Sequence, residues 1–166
     1  MKVLYLLSFW FFTSILIGQV SYGQSLPYKA LLRSTYDKDF ALVYPDQKDL
    51  INNAILLDTR EKNEFNVSHL KGAQWVGYEG FDMSAVKDIP KNQPIVVYCS
   101  IGARSQEIGK KLKQSGYSEV YNLYGGIFHW VNENNPVFHL DSTPTNKVHT
   151  YNKMWGIWLN KGEKVY

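Results

Sequence analysis

Cys99 is the one cysteine among 166 residues, and it opens the run Cys99-Ser100-Ile101-Gly102-Ala103-Arg104-Ser105 directly behind the apolar stretch Ile95-Val96-Val97-Tyr98. A strand that ends in a thiol, followed by a short glycine-containing loop and a helix-forming stretch, places the sulfur where backbone N–H groups converge on an anion. An inert cysteine usually sits in apolar surroundings, whereas Ser, Gly and Arg suit an electropositive, partly open loop. The charge of a thiolate or persulfide at Cys99 would be met by N–H groups from Ser100 to Ser105, those of Ile101 and Ala103 included, and by the dipole of the helix that begins there. Gly102 permits the tight turn. Arg104 is a candidate for drawing in an anionic substrate. A cation at a helix N-terminus works against the dipole, so a substrate explains its position better than helix stability does. The hydroxyls of Ser100 and Ser105 are candidates for donating to an outer sulfur atom, and Ser105 also suits a helix cap.

The elements around this loop follow from the apolar pattern. Ala54-Ile55-Leu56-Leu57 is a short continuous apolar run ending in Asp58, as a strand buried on both faces would be. Glu61 to Phe65 then reads as a turn or two of helix, with Glu61 and Glu64 on its surface. Gln74-Trp75-Val76 is a second strand, Phe81 to Lys87 a short helix, and Lys91-Asn92-Gln93-Pro94 a turn. Ile95 to Tyr98 is the clearest strand and Ser105 to Ser115 the clearest helix, with Ile108 and Leu112 on one face and Gly116 as its stop. Glu119 to Leu123 is the next strand, followed by Gly125-Gly126 and a segment carrying Phe128 and Trp130. Strands alternating with helices at this spacing predict an α/β fold, a parallel sheet covered on both faces. Ligands of such sheets sit at the carboxyl ends of the strands, so Asp58 and Cys99 are expected on one rim. Asp58 and Arg60 are expected to hold that rim by hydrogen bonds or an ion pair, and His69 to organise a loop. Tyr98, Trp75, Phe128 and Trp130 read as core. The four histidines lack metal-ligand spacing with one another or with Cys99. No pattern for a nucleotide phosphate surrounds the glycine pair.

The Cys99 to Ser105 loop resembles the active loop of rhodanese-like sulfurtransferases. Leu57-Asp58-Thr59-Arg60-Glu61 with Glu64-Phe65, then His69-Leu70-Lys71-Gly72-Ala73, resembles the first-strand and following-loop signatures of that family. Leu123-Tyr124-Gly125-Gly126-Ile127 with Trp130 resembles its closing segment. The segments fall in the family's order and cover about residues 46 to 136. The resemblance implies a three-layer α/β/α domain with a central parallel sheet. It also implies a catalytic Cys99 that carries a persulfide, and transfer of that sulfur from a donor such as thiosulfate to cyanide or a thiol, with no cofactor. Cysteine-dependent phosphatases and arsenate reductases are the rivals within the same loop logic. They resemble Cys-x5-Arg, whereas four residues lie between Cys99 and Arg104, a tighter ring better matched to one sulfur atom than to a phosphoryl group. The other alternative is a non-catalytic or redox-sensing binding module, in which Cys99 forms a mixed disulfide or a sulfenic acid.

Residues 1–23 read as a secretory signal: Lys2 gives a basic start, Val3 to Val20 is largely apolar, and Ser21-Tyr22-Gly23 supplies small residues for cleavage near Gly23/Gln24. The alternative is a retained membrane anchor. An exported protein, periplasmic or secreted, is therefore expected, with no membrane span after processing. Residues 24–45, with a weak helical or wrapping pattern, form a lead-in packed on the domain of residues 46–136. Residues 137–166 form a C-terminal extension with an aromatic tail, Tyr151, Trp155, Trp158 and Tyr166, expected to dock on the same domain or else to bind a protein acceptor. The net charge of +3 is spread over interspersed residues, which gives no nucleic-acid surface.

Overall fold

The structure, a computed structural model, describes residues 25–166. The expected signal segment, its cleavage point and any anchor lie outside the described residues. Helix α1 (Leu26–Thr35) is capped by the Ser25 side chain and leads to β1 (Leu42–Val43), α2 (Lys48–Asn53), β2 (Ile55–Asp58) and α3 (Lys62–Val67). Then come β3 (Gln74–Trp75), a 3-10 turn (Met83–Val86), β4 (Ile95–Tyr98), α4 (Ala103–Gln114), β5 (Val120–Leu123) and α5 (Gly126–Asn132). Five strands form one sheet in the order β1-β5-β4-β2-β3, every pairing parallel. β4 lies at its centre with all four residues buried. Asp58 pairs with Tyr98, which puts the C-terminal ends of β2 and β4 level on one rim.

Period-two alternation divides the core into two layers. Val96 and Tyr98 face Tyr28 and Leu32 of α1 and Ile127 and Phe128 of α5. Ile95 and Val97 face Ile108 and Leu112 of α4 and Val86 of the 3-10 turn. The result is the expected α/β arrangement, a central parallel sheet with helices on both faces.

The lead-in does more than wrap. After α1 it adds β1 to the edge of the sheet, with Leu42 beside Asn122 and Val43 beside Leu123. Two residues before a proline carry too little alternation to be read as a strand. Trp75 is not core: it is 39% exposed on the opposite edge strand, its indole N–H donating to the Arg60 carbonyl at 2.8 Å. A two-residue edge strand leaves one face of such a side chain open.

Past α5, β6 (Val137–Phe138) pairs antiparallel with β7 (Pro144–Thr145), and β8 (Lys147–His149) pairs parallel with β9 (Glu163–Val165), with α6 (Lys153–Gly156) between them. This segment is anchored by Trp158 stacked on Tyr28 at 5.3 Å and by Val148 and Leu159, both buried in the core layer that holds Tyr98. Asn132 at the end of α5 donates to the Trp158 carbonyl and accepts from the Asn160 and Lys161 amides. Among the described residues no helix is long and apolar enough to cross a membrane.

Candidate active site

Cys99 follows β4 directly and is 1% exposed. Its Sγ accepts from the Gly102 N–H at 3.1 Å. Gly102 has φ +107°, and a Cβ there would lie 2.1 Å from the Tyr36 hydroxyl, so both conformation and space require glycine. Four consecutive carbonyls of the loop are tied down. Ile127 N donates to Cys99 O at 2.9 Å and Phe128 N to Ser100 O at 3.1 Å. The Tyr36 hydroxyl donates to Ile101 O at 2.5 Å and itself accepts from Gly125 N at 2.7 Å. Asn122 Nδ2 donates to Gly102 O at 2.8 Å. With its acceptor oxygens engaged by groups behind it, the loop turns a donor toward the sulfur, as an anion requires.

Glu64 is the unexpected member of the site. It is fully buried, not on the surface, and Arg104 grips it with Nη1 to Oε2 at 2.7 Å and Nη2 to Oε1 at 3.0 Å. Ser100 Oγ donates to Oε1 at 3.2 Å, and the Glu61 N–H reaches Oε2 at 3.0 Å. Burial pushes the Glu64 carboxyl up, but the Arg104 hydrogen bonds and charge, with the Arg60 charge, more than offset this and hold it below the usual carboxylate range. Burial pulls the Arg104 guanidinium down, while its bond to Glu64 and the nearby Cys99 raise it above its ordinary value. Arg104 thus reaches the site already paired with Glu64 while still lining the cavity over Cys99. The hydroxyls of Ser100 and Ser105, the candidate donors to an outer sulfur, both have partners within the protein. The Ser100 proton goes to Glu64, and Ser105, fully buried, gives its own to Asn122 Oδ1 at 2.7 Å.

Asp58 and Arg60 form a closed ion pair behind the rim, both fully buried, with Nη2 to Oδ2 at 2.7 Å and Nε to Oδ1 at 3.0 Å. Arg60 Nη2 also donates to Ser68 O at 2.6 Å, fixing the chain after α3. A buried pair of this kind sets position more than it adds stability. His69 stacks on Phe65 at 4.1 Å, with Nδ1 3.1 Å from the Phe65 carbonyl, and its backbone pairs with Phe138. It holds a loop and does not line the site.

A cavity of about 460 Å³ opens over Cys99, Ser100 and Arg104. Glu61, Tyr78 and Glu79 form one side, and Tyr151 and Trp155 of the C-terminal segment form the other. Among the described residues no three His, Cys, Asp or Glu side chains gather as metal ligands. Glu64, Tyr36, Asn122, Tyr78, Tyr151 and Trp155 are members that sequence reasoning did not assign to the site. The Glu61-x-x-Glu64 spacing at a helix start was a local signal for Glu64, since the structure shows the reciprocal capping bonds of that pattern.

The model of the Rhodanese-like domain family matches residues 45–133, more than half of the chain, and the chain belongs to this family. Its relatives include sulfurtransferases. Over 95 residues it is 32% identical to the thiosulfate sulfurtransferase GlpE of Stutzerimonas stutzeri, covering 55% of this chain and 85% of that one. It is 35% identical over 81 residues to YqhL of Bacillus subtilis, covering 46% and 60% of the two chains. Against the probable adenylyltransferase/sulfurtransferase MoeZ of Mycobacterium tuberculosis it is 30% identical over 82 residues, 49% of this chain but 21% of that protein. The chain therefore spans less than two thirds of the last two. Among solved structures, the fold is shared with the BH2092 protein from Bacillus halodurans at TM-score 0.55 and 24% identity, covering 68% and 86% of the two chains. It is also shared with the rhodanese-like domain of the Anabaena Alr3790 protein at TM-score 0.54 and 21% identity, covering 60% and 79%.

Proposed function

We propose that the protein is a sulfurtransferase whose catalytic nucleophile is Cys99. The observation that carries this reading is the loop itself: Sγ held by the Gly102 N–H at the floor of an open cavity, with four carbonyls drawn back. With thiosulfate as donor, the Cys99 thiolate attacks the outer sulfur, a new S–S bond forms at Sγ, and the old S–S bond breaks with its electron pair leaving on sulfite. The persulfide is then discharged when cyanide or a thiolate attacks its outer sulfur and the electron pair returns to Sγ. Loop N–H groups carry the charge on sulfur in both steps, and the Arg104–Glu64 pair fixes the loop's far side. With no second cysteine in the sequence to resolve it, the acquired sulfur leaves to an external acceptor.

Intact-mass measurement after incubation with thiosulfate should show the gain of one sulfur atom, removable by cyanide as thiocyanate and absent in Cys99→Ser. A folded protein whose Cys99 gains no sulfur from thiosulfate, polysulfide, an organic thiosulfonate, a mercapto-ketone or a persulfide donor would overturn this reading. Residues 1–23 carry the companion proposal of export, for which the mature N-terminus should be found near Gln24 in a periplasmic or secreted fraction.

A further inference from the structure

The cavity over Cys99 has room for more than a small inorganic anion. At about 460 Å³ it falls in the range of sites for small organic molecules, roughly 300–1,000 Å³. Thiosulfate, with five heavy atoms, would fill little of it. Its walls are largely apolar and aromatic, Tyr78 on one side and Tyr151 and Trp155 on the other. Carboxylates outnumber cations among its lining side chains. The one cation that lines it, Arg104, is held in two hydrogen bonds by buried Glu64, while Glu61 and Glu79 line the same space and the Tyr78 hydroxyl donates to a further carboxylate, Glu107. Carboxylates together with aromatic faces are the surroundings that favour an organic cation. The Tyr151 ring lies 5.9 Å from the Arg104 guanidinium carbon, so one cation already meets this aromatic wall.

We propose that this cavity binds an organic thiol bearing an alkylammonium group as the sulfur acceptor, with Tyr151 and Trp155 of the C-terminal segment as specificity-determining residues. The proposal rests on the sulfur-transfer reading of Cys99. The acceptor thiolate, R–S⁻, attacks the outer sulfur of the Cys99 persulfide. A bond forms between the two sulfurs, the Sγ–S bond breaks, and the electron pair returns to Sγ, giving R–S–SH and the Cys99 thiolate. The ammonium group, a few bonds from the attacking sulfur, is then held among Tyr151, Trp155 and the rim carboxylates while the sulfur lies over the loop.

Thiocholine and 2-mercaptoethanesulfonate have the same two-carbon spacing and opposite charge, so they separate this proposal from a generic thiol preference. The persulfide form of the full-length protein is discharged by each, and rates are compared per unit thiolate. Thiocholine should be faster by about tenfold, the size of a partly desolvated cation–π contact. That ratio should fall to about threefold or less in Tyr151→Ala and in Trp155→Ala. Because both thiols meet the same sample, the ratio does not depend on the fraction folded or loaded, and Tyr151, 58% exposed, can be truncated without opening the core. A sulfonate thiol as fast as thiocholine, or a ratio unmoved by both substitutions, overturns the proposal. Its failure is kept apart from that of the sulfur-transfer reading by a binding arm in Cys99→Ser. S-methylthiocholine should quench tryptophan fluorescence there and 2-(methylthio)ethanesulfonate should not. Equal binding or none overturns the proposal, whether or not any donor loads Cys99.

Discussion

At Glu64 a carboxylate buried beside the nucleophile's loop is kept charged by Arg104, Ser100 Oγ and the Glu61 N–H. Glu64→Gln keeps the shape and removes the charge, leaving Arg104 facing an amide. Breaking one side of a buried pair costs about 3–5 kcal/mol, and with the Arg104 side chain 21% exposed the lower end, about 3 kcal/mol, is expected. The pH dependence has a definite sign. The Glu64 carboxyl is held below its ordinary value in the folded protein, chiefly because Arg104 outweighs burial. The stabilisation is therefore complete above the unfolded value of about 4.3 and is lost as pH falls through the lower folded value. Thermal unfolding of wild type and Glu64→Gln should differ most near neutral pH and converge in acid; a gap that stays constant to the lowest pH reached would remove the ion pair as its cause. Glu64 was readable as a helix residue but not as a buried one, because the partner that stabilises it is Arg104, distant in sequence. Cys99, Gly102 and Arg104 were readable because the loop is contiguous. Tyr36 and Asn122, which fix that loop from other elements, carry no such local mark.

At the level of elements, the loop is shaped by the start of α5 as much as by β4 and α4. Gly126 has φ +55°, and a Cβ there would lie 2.3 Å from Cys99 O and 2.7 Å from Ser100 O. Two amides of α5, Ile127 N and Phe128 N, reach those same carbonyls. Gly126→Ala combines an unfavourable backbone with a clash against main chain, so a loss of more than ~1 kcal/mol is expected. Sulfur loading of Cys99, read by intact mass at a temperature where the variant is still folded, should slow at least several-fold, since only movement of the loop relieves the clash. Normal loading in a folded variant would show that the helix start does not shape the loop. β4 and α4 could be read from the sequence because an apolar run and an i, i+4 pair are local patterns. β1 and the two small sheets of the C-terminal segment could not. Two- and three-residue strands have no period of their own and exist only because a partner strand supplies their hydrogen bonds.

Across the whole molecule, the C-terminal segment joins the core and the candidate active site. Val148 and Leu159 lie in the core layer that contains Ile101 of the loop, and three residues on from Val148 the chain delivers Tyr151 to the cavity. Leu159→Ala should cost about 2–5 kcal/mol by thermal or urea unfolding, as a fully buried leucine does; a cost below ~1 kcal/mol would mean the segment is only loosely docked. The docking should also depend on pH through His149, which ends β8, packed beside α3. Burial pushes the His149 imidazole below its ordinary value, the Arg60 and Arg104 charges act in the same direction, and the Glu64 charge opposes them. A depressed folded value means that the unfolded chain takes up the proton first. The stability contributed by neutral His149 is thus present above about pH 6.5 and is lost as pH falls through the lower folded value. His149 Nδ1 accepts from the Tyr151 N–H at 3.0 Å, so protonation also removes the acceptor that sets the turn carrying Tyr151. Between pH 7 and pH 5 the wild type should lose more Tm than His149→Gln, and proteolysis in residues 147–165 should increase over the same interval. Equal slopes for the two proteins would assign the pH dependence elsewhere, with His129, also depressed chiefly by burial, as the next group to replace.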